Sequence, residues 1–109
     1  MPVEILATGT TTANSTTVTV GSTAPIAPVT ITLKSPTGQI PYFVPASGTS
    51  GLPAIFVQTQ DNSGAWQVTG EELTPQKPYI LLQRPGVYRI RRLPIDGAPS
   101  GIGVFRSDP

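Results

Sequence analysis

The chain has no cysteine and no histidine. Without thiolate or imidazole the common zinc sites cannot be built and no disulfide can form. Every Ser-His or Cys-His nucleophile pair is excluded as well. Charge is scarce: 12% of residues are charged and the net charge is +1, where an average chain carries roughly 25%. A free nucleic-acid binder shows a much stronger basic excess, so no nucleic-acid partner is expected. No apolar run approaches the ~18 residues of a membrane-spanning helix, so no membrane partner is expected either. The opening MPVEILATG carries Glu4 early and no basic stretch, and does not read as a secretory signal. Aromatics make up 6%, which points to a modest and mainly aliphatic core.

Proline and glycine are abundant. The 13 prolines and 11 glycines together are 24 of 109 residues, a share that approaches the ~25–30% typical of disordered segments. Clean strand patterns argue instead for one ordered domain, for which this length suffices without disulfides or metals. A low-charge chain rich in Thr, Ser, Gln and Gly suits an extracellular or assembly-bound protein better than a free enzyme.

The patterns are those of strands. In TTVTVG, Val18 and Val20 alternate with Thr17 and Thr19. Val29, Ile31 and Leu33 alternate with Thr30, Thr32 and Lys34, the strongest period-2 run of the chain. Ser35-Pro36-Thr37-Gly38 then reads as a type I turn, with Gln39 to Val44 returning as a weaker strand disturbed by Pro41. PASGTSGLP is a loop of small residues. AIFVQTQ and AWQVTG form a hairpin across Asp61-Asn62-Ser63-Gly64. GEELTPQ hints at a single helical turn stopped by Pro75. PYILLQ and VYRIRRL form another hairpin across Pro85-Gly86, read as a type II turn, and GIGVF adds a short last strand. The fold class that follows is all-β: an antiparallel sandwich, Ig-like or jelly-roll-like, or a small barrel of seven to nine short strands. The cysteine frame of true immunoglobulin domains is absent.

Residues 1–15, Thr-rich after a short apolar patch, form either an arm or an edge strand, with residues 16–109 as the single sandwich domain. We expect the arm: Val3, Ile5 and Leu6 offer little apolar surface against the entropy of ordering fifteen residues. Such an arm would order by adding a strand to a neighbour's sheet, Val3 and Ile5 filling alternate pockets.

Arg89 and Arg91 share one face of the last major strand, while Arg92 falls with Tyr88 and Ile90. They read either as a solvated face or as a patch that pairs with carboxylates or phosphates on a partner. Glu71 and Glu72 are the one adjacent carboxylate pair, and neighbours on an extended chain diverge, which is unsuited to paired acid–base chemistry. SGTSG and APSGIG match no phosphate-binding fingerprint. Trp66 is most simply a core residue of its hairpin. No enzyme, cofactor or metal is expected.

The segment FVQTQDNSGAWQVTGEELTPQKPYILLQRPGVYRIRR, together with the preceding ITLKSPTG, resembles small β-sandwich virion proteins of tailed bacteriophages. The resemblance runs from about Val18 to Arg92. It implies a non-enzymatic structural protein located in the virion, a decoration or cement protein that binds the major capsid protein or another virion protein and stabilises the head lattice. It also implies a homo-oligomer, a trimer by analogy with the family. A head-fibre, neck or tail accessory protein would look alike. The rival is a carbohydrate-binding sandwich used in host attachment.

Overall fold

The computed structural model describes residues 2–46 and 53–107. Met1 and most of the small-residue loop expected over PASGTSGLP lie outside the described residues. Eleven strand segments follow one another: β1 (Pro2–Gly9), β2 (Ala13–Asn14), β3 (Val18–Val20), β4 (Val29–Lys34), β5 (Val44–Pro45), β6 (Ile55–Gln60), β7 (Trp66–Leu73), β8 (Tyr79–Leu82), β9 (Gly86–Arg92), β10 (Ile95–Asp96) and β11 (Ile102–Ser107). There is no helix among the described residues. One sheet has the order β1-β11-β4-β8; the other runs β2-β9-β6-β7, with β3 also on β9. β5 and β10 form a separate two-stranded ribbon. Every strand pair is antiparallel.

The chain is therefore an all-β antiparallel sandwich. Each sheet turns one face inward, and the inner side chains meet in a single aliphatic cluster around Ile31, Val104, Ile55 and Ile90. Val29, Ile31 and Leu33 of β4 are buried while Thr30, Thr32 and Lys34 alternate outward, as their period requires. The β6–β7 hairpin also forms where expected. Asp61 caps its tip: one carboxylate oxygen accepts from Ser63 N (2.9 Å), Ser63 Oγ (2.6 Å) and Ala65 N (3.0 Å), and the other from Gln67 Nε2 (3.1 Å).

Four sequence expectations are corrected. Ser35 to Gly38 does turn, with Gly38 N donating to Ser35 O at 3.1 Å, but no strand returns along β4. Pro41 has no N–H to give a ladder, and β4 is flanked instead by β11 and β8. GEELTPQ does not coil: β7 continues to Leu73, and Thr74 and Lys77 exchange backbone hydrogen bonds of 3.1 Å in a tight turn.

The third correction concerns Pro85-Gly86. β8 and β9 belong to different sheets, so this link is a corner and not a hairpin. Gly86 has φ +157°, far from the ~+80° of a type II turn and in an extended region that is essentially glycine's own. Tyr88 braces the corner by donating its hydroxyl to Arg84 O at 2.7 Å, the arrangement of a tyrosine corner in Greek-key sandwiches.

The fourth concerns the arm. β1 lies along β11 from Pro2↔Ser107 to Gly9↔Ile102, so residues 2–9 form an edge strand of this chain's own sandwich. A bulge between Glu4 and Leu6 places an extra residue there, and both Ile5 and Leu6 sink into the core. Each contributes about 1.5–3 kcal/mol by burial. The sequence reading undervalued β11, which is a central strand that gives β1 a full ladder. Ser15 stitches the next segment down: its N donates to Ile90 O and its Oγ accepts from Ile90 N, both at 2.8 Å.

Arg92 sits inside this frame and is 4% exposed. Its Nε donates to Thr11 O at 2.8 Å, and Nη1 donates to Ala7 O and Ile102 O, both at 2.7 Å. The guanidinium thus ties β1, the β1–β2 connection and the start of β11 to β9. Gly9 lies against it so closely that a Cβ would stand 2.6 Å from Nη2. Burial lowers the Arg92 pKa, yet guanidinium stays protonated in proteins.

Candidate functional site

Alternation along β9 sends Tyr88, Ile90 and Arg92 inward and leaves Val87, Arg89 and Arg91 outside. Register then decides their neighbours on the outer face. Arg89 lies beside Gln58, which lies beside Val68; Arg91 lies between Asn14 and Phe56, and Phe56 beside Glu72. At the hairpin end, Gln60 pairs with Trp66.

Both outer arginines are held in place. Arg89 Nε donates to Gln58 Oε1 at 2.6 Å, and its guanidinium carbon stands 4.5 Å from the centroid of the Trp66 ring, within cation–π range. Arg91 Nη1 donates to Asn14 Oδ1 at 2.9 Å. Burial, then the like charge of Arg91, lower the Arg89 pKa. These partners are neutral. Among the described residues the single ion pair is Lys34 with Glu4, on the other sheet. The outer face of the second sheet therefore carries two adjacent cations positioned by amides and a ring and, among the described residues, not paired with a carboxylate.

Of the residues expected to bind a partner, Arg89 and Arg91 are brought together here. Val3 is exposed on β1, on the other sheet, and Ile5 is buried in the chain's own core, so it cannot fill a neighbour's pocket while β1 is folded. Trp66 is not a core residue: it is half-buried on the outer face as the rest beneath Arg89. Glu71 and Glu72 diverge, Glu72 outward beside Phe56 and Glu71 into a cleft on the open side of the sandwich. Among the described residues no three His, Cys, Asp or Glu side chains gather where a metal ion could be held.

Sequence reasoning missed Asn14, Gln58 and Phe56, because cross-strand neighbours are set by register and not by local pattern. It also missed the clamp at Arg92, although the signal was present: Arg92 shares the parity of the core residues Tyr88 and Ile90. No family model, no curated protein and no solved structure matches the chain.

Proposed function

We propose that the chain is a non-enzymatic structural module that docks on a larger assembly through the outer face of its β2-β9-β6-β7 sheet, and that the assembly is a tailed-phage virion whose head shell it decorates. The observation that carries the docking reading is the Arg89–Arg91 pair, fixed by Gln58, Asn14 and Trp66 and lacking a carboxylate partner among the described residues. Guanidinium forks bind carboxylates in two-point fashion. Arginines already held lose less freedom on binding than free side chains do. A module that binds the assembled lattice and not its free subunits stabilises the lattice by mass action. The sugar-binding rival is less favoured, because one face of the Trp66 ring carries the Arg89 guanidinium.

The test has two arms. Quantitative mass spectrometry of purified particles gives the copy number: many copies per particle support head decoration, few indicate the neck or tail, and none rejects the virion reading. Co-sedimentation of the chain with those particles then compares wild type with the double variant Arg89→Ala, Arg91→Ala. The variant is expected to stay folded and to lose binding, and wild-type binding to weaken as salt rises. Equal, salt-independent binding by both proteins rejects the arginine face. A glycan array with selective binding lost on Trp66→Ala would establish the rival.

A further inference from the structure

Four edges bound the two large sheets, and three of them are guarded in ways that discourage strand addition. β1 breaks register twice and carries Glu4. β7 breaks register opposite Phe56 and Gln58 and carries Glu71 and Glu72. β2 and β3 are short pieces, of two and three residues, on the same side of β9. β8 is different. It reads Tyr-Ile-Leu-Leu, holds unbroken register on β4 from Val29↔Leu82 to Thr32↔Tyr79, and has no charge and no bulge. Tyr79 and Leu81 are 63% and 45% exposed. Its protection is its length and the flanking Pro78 and Pro85.

Beside this edge opens a cleft of about 930 Å³ between the sheets, with Leu81 and Leu82 on one wall and Thr69, Glu71 and Tyr88 on the other. That volume is in the range of sites that take small ligands or short peptides. Arg84 also lines this cleft, but Glu71, half-buried there, has no cation within ion-pair distance among the described residues.

We propose that the free edge of β8 accepts an extended segment of another polypeptide, which adds as a fifth strand to the β1-β11-β4-β8 sheet. Its outward side chains, uncharged, lie beside Tyr79 and Leu81. One inward side chain is a lysine or arginine that enters the cleft and meets Glu71. Backbone hydrogen bonds supply the affinity and the alternate side chains the selectivity. A second folded copy fits less well. Pairing β8 with β8 covers a four-residue edge and leaves both clefts open, well short of the ~800 Å² per partner of a stable interface. This site is separate from the Arg89–Arg91 face and does not depend on it.

The probe is a short synthetic peptide of alternating threonine and valine with one lysine on the side that faces the cleft, titrated into the full chain and followed by amide NMR. The expected result is saturable binding with shifts concentrated at Tyr79 to Leu82 and Glu71, and slowed amide exchange along β8. N-methylation of alternate peptide amides should abolish it. Glu71→Gln should weaken the lysine peptide about tenfold and leave a lysine-free peptide unchanged. Absence of saturable binding, shifts elsewhere, or indifference to N-methylation overturns the proposal. So does a concentration-dependent dimer of the peptide-free chain that Leu81→Lys dissociates, since the occupant would then be a second copy.

Discussion

One strand carries the same side chain to two opposite fates. On the inner face of β9, Arg92 is closed in by three backbone carbonyls and a glycine. On the outer face, one and three positions earlier, Arg91 and Arg89 rest on side-chain amides and an indole ring. The carbonyls that hold Arg92 lie where the β1–β11 ladder shifts register between Leu6 and Gly9 and in the link that follows β1, so the guanidinium ties together a place where the sheet is irregular. The amides that hold Arg89 and Arg91 fix direction without cancelling charge, so those guanidiniums remain able to meet an anion. Strand parity, and not residue type, separates the structural arginine from the two available ones.

The largest expected effect comes from the inner face. Arg92→Met keeps much of the volume but strands three carbonyl acceptors, at about 1–3 kcal/mol for each one left unpaired and buried. We expect a loss of about 3 kcal/mol or more in denaturant unfolding. A loss below about 1 kcal/mol would return Arg92 to the rank of an ordinary surface residue. Gly9→Ala sharpens the same point. Its new methyl meets a guanidinium that three hydrogen bonds hold still, and overpacking of that kind costs about 1–3 kcal/mol. In the Arg92→Met background most of that cost should vanish, because the group in the way is gone; strictly additive losses would break the argument.

Gly86→Val tests the corner that feeds both faces. A φ of +157° suits glycine alone, so the branched residue should destabilise by roughly 1–3 kcal/mol. An unchanged melting temperature would mean that the corner adopts another conformation. On the outer face the double variant Arg89→Ala, Arg91→Ala should change stability by no more than about 0.5 kcal/mol. Relief of the repulsion between the two cations offsets the lost contacts with Gln58 and Trp66. A larger loss would make the outer arginines structural as well and dissolve the contrast.

Much of this sandwich was legible in the sequence, and the illegible parts have physical causes. β4 and the β6–β7 hairpin were readable because alternation and turn chemistry are local. The Pro85-Gly86 link was misread because local chemistry does not say whether the strands it joins share a sheet. β1 was misread for two reasons. Its bulge hides the alternation that would have marked Ile5 and Leu6 as core, and its partner β11 lies at the far end of the chain. At the candidate site, the parity of β9 placed Arg89 and Arg91 together. The Trp66 and Gln58 contacts depend on the register of three strands, and the sequence does not encode that register in any short window.

The smallest effect separates inside from outside by acid. Asp61, exposed at the tip of the β6–β7 hairpin, has its pKa lowered from 3.8 to about 2, first by the Ser63 hydroxyl and then by the Gln67 amide, with backbone N–H groups adding to them. The folded chain thus holds this proton more weakly than the unfolded chain. Whatever Asp61 contributes is fully present above about pH 4 and disappears as pH falls through about 2. The clamp at Arg92 has no such dependence, because carbonyls do not titrate there and guanidinium keeps its proton. NMR titration of the Asp61 carboxyl should give a midpoint near 2, and protection of the Ser63 and Ala65 amides should fall over the same range. The amides around Arg92 should keep theirs. Asp61→Asn should remove the acid step: its amide oxygen can still accept from Ser63 and Ala65 without titrating, and only the Gln67 hydrogen bond is lost, because an amide N–H2 cannot accept it. A wild-type midpoint near the ordinary carboxylate value would show that the tip network does not hold in solution, and that order on the outer face of the hairpin stops short of its turn.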